Sequence, residues 1–256
     1  GINSIFKGLA LKAFRDKRRI SFFFSAIDHA CVYNLKEDLE LLGHEVSYFS
    51  VDHVGNFDAQ NLIEQMLLKK KEDVDLVCNF TYINNETGIV WPLELAAQIK
   101  QATGAFVHVD AVQLIGKIKD WKILNATVDA YTFSGHKFGA MKGVGFSFIK
   151  KDISFLPLLA GGNQQEGMRS GTENTLGIYS LKLALEDMLE RFDAEGLSCA
   201  FDLIESELLK VIGERGEIIG AKNNYRNLTT CFLMLRNQKA ELLSAKFDML
   251  GMDVST

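Results

Sequence analysis

Ser134-Gly135-His136-Lys137 closes a short apolar run that begins at Ala130. A lysine in such a place can form a Schiff base with an aldehyde cofactor if its amine is neutral part of the time, and burial lowers a lysine pKa in that direction. Gly135 leaves room for a close backbone approach, and Ser134 and His136 are donors able to hold a phosphate. Upstream stands His108-Val109-Asp110-Ala111-Val112-Gln113. A buried Asp110 can pair with a protonated pyridine nitrogen and keep the ring an electron sink. Gln113, three residues on, can reach a ring hydroxyl. His29, beside Asp28, can stack on the ring face or move protons. Together these groups could serve a ring cofactor such as pyridoxal phosphate.

Each group has a plainer reading alone. A lone Ser-Gly-His-Lys is most often a surface turn. Asn84 and Asn85 read as a turn, and Asp110 as the cap of a following helix. His108 alternates with strand residues and reads as a packed core histidine. His44 and His53 flank a strand and read as exposed. Order and spacing taken together outweigh these readings.

The elements that must position the groups alternate in period. Helical patterns run over 3–15, 32–42 and from the cap Asp58 to Leu68, and Pro92 opens another to about Gln101. Strands are expected over 20–27, 45–51, 76–83, 105–112, 130–134 and 143–149. This alternation predicts an α/β fold with a mainly parallel sheet. In such sheets ligands bind beyond the carboxyl ends of the strands. Asp28-His29, Asn84-Asn85-Glu86-Thr87-Gly88, His108 to Gln113 and Ser134 to Lys137 all fall at such ends. Further on, Leu181, Leu185, Met188 and Phe192 recur at helical spacing. Gly196 interrupts the pattern, and a second helix carries Phe201, Ile204, Leu208 and Val211 on one face. Strands near 217–219 and 229–235, a helix over about 239–250 and a strand-like end at 252–256 complete the chain. A boundary near residue 190 divides a large domain, 1–190, from a partial small domain, 191–256.

Composition limits the function classes. Of the 256 residues, 47% are hydrophobic and 24% charged, as in ordinary globular proteins. A net charge of −5 gives no basic surface for nucleic acid. The run Lys69-Lys70-Lys71 reads as a solvated helix end, where cations suit the dipole. No apolar run reaches membrane-spanning length. Cys31, Cys78, Cys199 and Cys231 form no CxxC pair, so neither a zinc nor a redox motif is expected and no metal site is assigned. Cys78, Cys199 and Cys231 read as packed positions. Nothing argues for disulfides, which fits a reducing, cytoplasmic setting.

Three runs carry a resemblance to a known family: His108 to Gln113 with Gly116-Lys117; Ser134 to Gly139 with Lys142-Gly143-Val144-Gly145; and Gly161 to Asn174, containing Arg169-Ser170-Gly171-Thr172-Glu173-Asn174. With the Asn84 to Gly88 block they resemble the pyridoxal-phosphate signature of the cysteine desulfurases. The resemblance covers essentially the whole chain. It implies a fold-type-I transferase architecture of aminotransferase class V, working as a homodimer. By position, Lys137 would bind the cofactor covalently and act as base, Asp110 would bond the pyridine nitrogen, and Gln113 the ring oxygen. His29 would stack on the ring and assist proton transfer. Ser134 and His136 would hold the phosphate, and Asn85 would contact cofactor or substrate. Thr172 would reach the phosphate bound in the neighbouring subunit, while a structural role for Arg169 is equally open.

The implied reaction converts L-cysteine to L-alanine and an enzyme persulfide, which passes to an iron–sulfur scaffold or another sulfur acceptor protein. The pattern departs from the family at Met141, where many relatives have proline. Gly1-Ile2-Asn3 resembles the stretch just after the family's Ala-Thr-Glu phosphate turn, and Val254-Ser255-Thr256 the stretch just before its Gly-Ser-Ala-Cys loop. The expectation is therefore a chain short at both ends, without the cysteine that attacks the substrate sulfur and without turnover by itself. The alternatives are another class V enzyme, such as a selenocysteine lyase or an aminotransferase, and a catalytically incompetent dimeric piece. A nicotinamide-binding protein is disfavoured because no GxGxxG follows the first strand.

Overall fold

The computed structural model describes residues 1–221 and 225–255. Its centre is a six-stranded sheet. In chain order the strands are β1 (Arg19–Ser25), β2 (Glu45–Phe49), β3 (Val74–Thr81), β4 (Phe106–Asp110), β5 (Ala130–Ser134) and β6 (Gly145–Ile149). Across the sheet they lie β2-β1-β3-β4-β5-β6, with every pairing parallel except β5 with β6. The expected mainly parallel α/β architecture is therefore the observed one.

The pleat sorts β1 residue by residue. Ile20, Phe22 and Phe24 enter one core with Phe6 and Ala10 of helix α1 (Ile2–Arg15), whereas Phe23 enters the opposite core. That second core is built with helices α4 (Ala59–Lys69), α5 (Leu93–Thr103) and α6 (Thr175–Arg191), which supply Leu62, Ile99 and Leu181. Both faces are covered, as parallel sheets require. Asp58 caps α4 by accepting from the Asn61 amide at 3.0 Å. Pro92 stands one position outside α5 rather than as its first residue.

The expected helix over 32–42 is two short ones, α2 (Ala30–Tyr33) and α3 (Lys36–Leu41), joined through Asn34 and Leu35. His44 is buried, not exposed: its Nδ1 accepts from the Ile20 amide at 3.2 Å and its Nε2 meets the Ala10 carbonyl at 2.9 Å. The imidazole thus ties α1 to β1, a long-range use that its place before a strand does not disclose.

Beyond α6 lie α7 (Ala194–Ile212), the antiparallel pair β7 (Gly216–Ile218) and β8 (Leu233–Leu235), and α8 (Ala240–Met249). Gly196 does not break a helix but sits in the first turn of α7, its amide donating to the cap Asp193 at 2.9 Å. Phe201 and Leu208 are half-buried while Ile204 and Val211 are exposed, at 54% and 68%. Residues 252–255 form no strand, and Thr256 lies outside the described residues.

Candidate functional site

Parallel pairing brings the carboxyl ends of β1, β3, β4 and β5 to one edge. Thr81 pairs with Asp110, and Asp110 with Thr132. The sheet face turned toward α1 changes character along its length. Val77 and Ala130 are apolar, and toward the carboxyl end come Asn79, Thr81, His108, Asp110 and Thr132, all buried. Because side chains alternate across a sheet, these residues fall on the same face.

Asp28, in the loop after β1, anchors this polar region. Its carboxylate accepts from the Ser25 amide at 3.0 Å, from Asn79 Nδ2 at 3.0 Å and from the Thr81 hydroxyl. Burial pushes its pKa up to about 7, against the pull of those three donors, and the nearby Asp110 adds to the rise. Asp110 is also raised by burial, offset in part by the Val112 amide and by His29. Asp110 Oδ1 accepts from that amide at 3.0 Å, while Oδ2 has no protein donor among the described residues. A buried carboxylate with one oxygen free fits a protonated ring nitrogen. His29 caps α2, its Nδ1 accepting from the Cys31 amide at 3.1 Å, and its ring is exposed.

The second half of the edge follows β5. A 3-10 turn over Gly135–Phe138 carries His136 and Lys137, both exposed. The burial expected for Lys137 is not found on this chain, since a turn at the end of a strand projects it outward. It lines an open cavity of about 620 Å³ together with Lys117, Asp187 and Thr229. Ser134 Oγ and His136 Nδ1 lie 2.9 Å apart. Gly135 is packed tightly as well: a Cβ there would stand 2.7 Å from Leu181 Cδ2 and 3.0 Å from the Val144 carbonyl.

Gln113 lies three residues past Asp110, and its partner Lys117 lines the cavity with Lys137. Gln113 is buried, and its Oε1 accepts from Lys117 Nζ. No bond joins Lys137 directly to Asp110 among the described residues. Asn85 is half-buried in a turn shaped by Asn84, whose Oδ1 accepts from the amides of Glu86 and Thr87 and whose Nδ2 donates to the Ile27 carbonyl. Thr172 is exposed on a segment closed on itself, where Ser170 donates through both N and Oγ to the Leu159 carbonyl.

The profile of the family described as "Aminotransferase class-V" matches residues 1–255. The chain belongs to that family. Within it, the chain is 37% identical over 213 residues to "Cysteine desulfurase 2" of Trichormus variabilis, covering 83% of this chain and 51% of the relative. A "Cysteine desulfurase" of Rhodobacter capsulatus is 33% identical over 247 residues, covering 95% and 61%. Among solved structures, one titled "NIFS-LIKE PROTEIN" superposes with a TM-score of 0.83 at 30% identity, over 100% of this chain and 68% of that one. DndA from Streptomyces lividans gives 0.78 at 27%, over 97% and 68%. The chain thus spans about half to three fifths of the curated relatives it matches.

Four residues at this edge, Asp28, Asn79, Thr81 and Lys117, had no role legible in the sequence. Asp28 was visible only as a neighbour of His29, and its burial against Asp110 depends on β1 and β3 being adjacent. Asn79 and Thr81 lie inside an apolar strand and carried no signal of their own. Lys117 belonged to the matched motif but had no assigned task.

Proposed function

We propose that this chain carries the cofactor-binding part of a pyridoxal-phosphate-dependent cysteine desulfurase, which converts L-cysteine to L-alanine and an enzyme persulfide. The observation that carries the reading is the meeting of Asp110, Gln113 and the Ser134–Lys137 turn at one carboxyl edge, with Asp110 buried and one of its oxygens free. The cysteine desulfurase relatives support it, as does likeness to the structure titled "SspA in complex with cysteine", with a TM-score of 0.73 at 27% identity.

Lys137 holds the cofactor and afterwards exchanges a proton at its Nζ. Asp110 faces the ring nitrogen, Gln113 the ring oxygen, and His29 the ring surface. Ser134 and His136 bind the phosphate oxygens, and Asn85 borders the substrate. When bound, pyridoxal phosphate supplies an electron sink for the electrons released at the substrate's α-carbon. Residues 1–190 form the large domain and 191–256 part of a small one. The protein works as a homodimer in the cytoplasm, with Thr172 reaching the partner's phosphate. Its sulfur passes to an acceptor protein such as an iron–sulfur scaffold.

None of the four cysteines is the attacking thiol in this reading. Burial, with Asp110 and Asp28 close by, pushes the Cys31 thiol up to about 11, and the attacking species is the thiolate. Cys78 is fully buried, and burial lifts Cys231 to about 11. Cys199 is exposed, not packed as its sequence suggests, but it lies on α7, a rigid element rather than a mobile loop.

Borohydride reduction of the cofactor-loaded protein, followed by peptide mapping, tests the assignment. The cofactor mass is expected on Lys137. Its recovery on another lysine, with Lys137 unmodified, overturns it.

A further inference from the structure

Lys117 reaches back one turn to Gln113, and an ammonium group can only donate. The atom of the glutamine that receives it is therefore the amide oxygen, whichever way the amide is drawn. With the oxygen held, the two N–H bonds of Nε2 form the free end of the side chain, and they meet no protein acceptor among the described residues. An unheld glutamine presents either end. We propose that Lys117 is a positioning residue that clamps the Gln113 oxygen and so fixes the amide as a donor toward the ring oxygen of the bound cofactor. This rests on the reading of Lys137 and Gln113 given above.

The backbone is arranged for that reach. Gly116 adopts φ +70°, a left-handed conformation that favours glycine, and a Cβ there would press on the Met188 side chain at 2.6 Å. The Lys117 carbonyl accepts from the Leu228 amide at 2.9 Å, which pins the far side. Lys117 is half-buried and lines the same cavity as Lys137. Burial depresses its pKa, and Lys137 depresses it further. Asp187 of α6, which lines that cavity, is paired with Arg191 at 3.1 Å. Among the described residues neither lysine has a carboxylate partner, so Lys117 places an uncompensated positive charge beside the Lys137 amine.

Removing Lys117 therefore acts on the bound chromophore in one direction. Loss of a nearby cation favours the protonated form of the nitrogen that Lys137 contributes, and loss of the amide donor leaves more charge on the ring oxygen to hold the shared proton.

The test compares wild type, Lys117→Arg and Lys117→Met, each loaded with pyridoxal phosphate, by absorbance against pH. In Lys117→Met the midpoint of the colour change is expected to rise by about one pH unit, with cofactor affinity about tenfold lower. Lys117→Arg, which also only donates, is expected to restore wild-type behaviour. Should the methionine variant misfold, the neutral Lys117→Gln replaces it, with the same upward shift expected from the lost charge. Borohydride mapping separates the two levels of inference. An adduct on Lys137 with an unmoved midpoint in the neutral variant, or an arginine variant shifted as far as the methionine one, overturns the role of Lys117 alone. A wild type that forms no adduct on Lys137 overturns the reading of the site, and this inference with it.

Discussion

Asn79 Nδ2 donates to Asp28 Oδ2 at 3.0 Å, tying the middle of β3 to the loop that follows β1. The same amide turns its oxygen to His108 Nδ1 at 2.8 Å, and His108 Nε2 lies 2.8 Å from Thr132 Oγ1. A row of polar contacts thus crosses the sheet beneath the candidate cofactor position, from the buried carboxylate to β5. It ends at Ser147 of β6, 3.0 Å from Thr132 Oγ1.

The carboxylate at the head of that row sets a pH dependence of stability. Asp28 titrates near 7 when folded and near 4 when unfolded, so its stabilising share is complete below about pH 4 and is lost as pH rises through about 7. His108, whose pKa burial pushes down to about 3, works the opposite way, losing stability as pH falls below its unfolded value. The Asp28 part is isolated by difference. Urea unfolding of wild type and Asp28→Asn at pH 5 and pH 8 should show wild type losing about 2 kcal/mol relative to the variant over that interval. A parallel response in both proteins would mean that Asp28 is not held protonated.

Asp110→Asn should leave the sheet intact, since Oδ1 still accepts the Val112 amide. In the proposed site it removes the charge facing the ring nitrogen. A hydrogen bond to a charged group contributes about 1.5–3 kcal/mol, so cofactor affinity should fall about tenfold to a hundredfold. Titration with pyridoxal phosphate followed by absorbance measures it, and an unchanged affinity would remove Asp110 from the site.

The proposed composite site, with Thr172 reaching the partner's phosphate, predicts complementation. Isologous dimers place the same segment on both subunits, so a heterodimer of Lys137→Ala and Thr172→Ala can assemble one site free of both changes. Mixed and reannealed subunits should recover up to half the cofactor binding of wild type, where Lys137→Ala alone forms no covalent adduct. A mixture no better than either parent would place Thr172 outside the partner's site.

Cys31→Ser should leave alanine formation within about twofold of wild type in the active protein, because a thiol titrating near 11 and fixed in a short helix is a poor attacking group. Loss of turnover with cofactor binding retained would identify Cys31 as the attacking thiol.

What could be read from the chain alone follows the range of the interactions. Strand and helix periods are local, and they placed all six strands of the main sheet. The motif residues Asp110, Gln113 and Lys137 were visible because the chemistry needs particular side chains at set distances from strand ends. Burial was less legible. His44 is enclosed by α1, which lies some thirty residues away, and Lys137 stands exposed on a turn that sequence alone suggested was enclosed. The apolar spacing of Ile204 and Val211 announced a helix correctly but could not say whether anything in this chain covers it.

The bridge made by His108 also bears on how the strands find their alignment. Both ring nitrogens are engaged only when β4 lies at its native offset from β3 and β5 together. A slip of one residue would turn the imidazole toward the apolar α4–α5 side and strand its two polar atoms without partners, at a cost of about 1–3 kcal/mol for each. The histidine therefore favours the native register, because a slipped strand is raised in energy by the two polar atoms it leaves without partners.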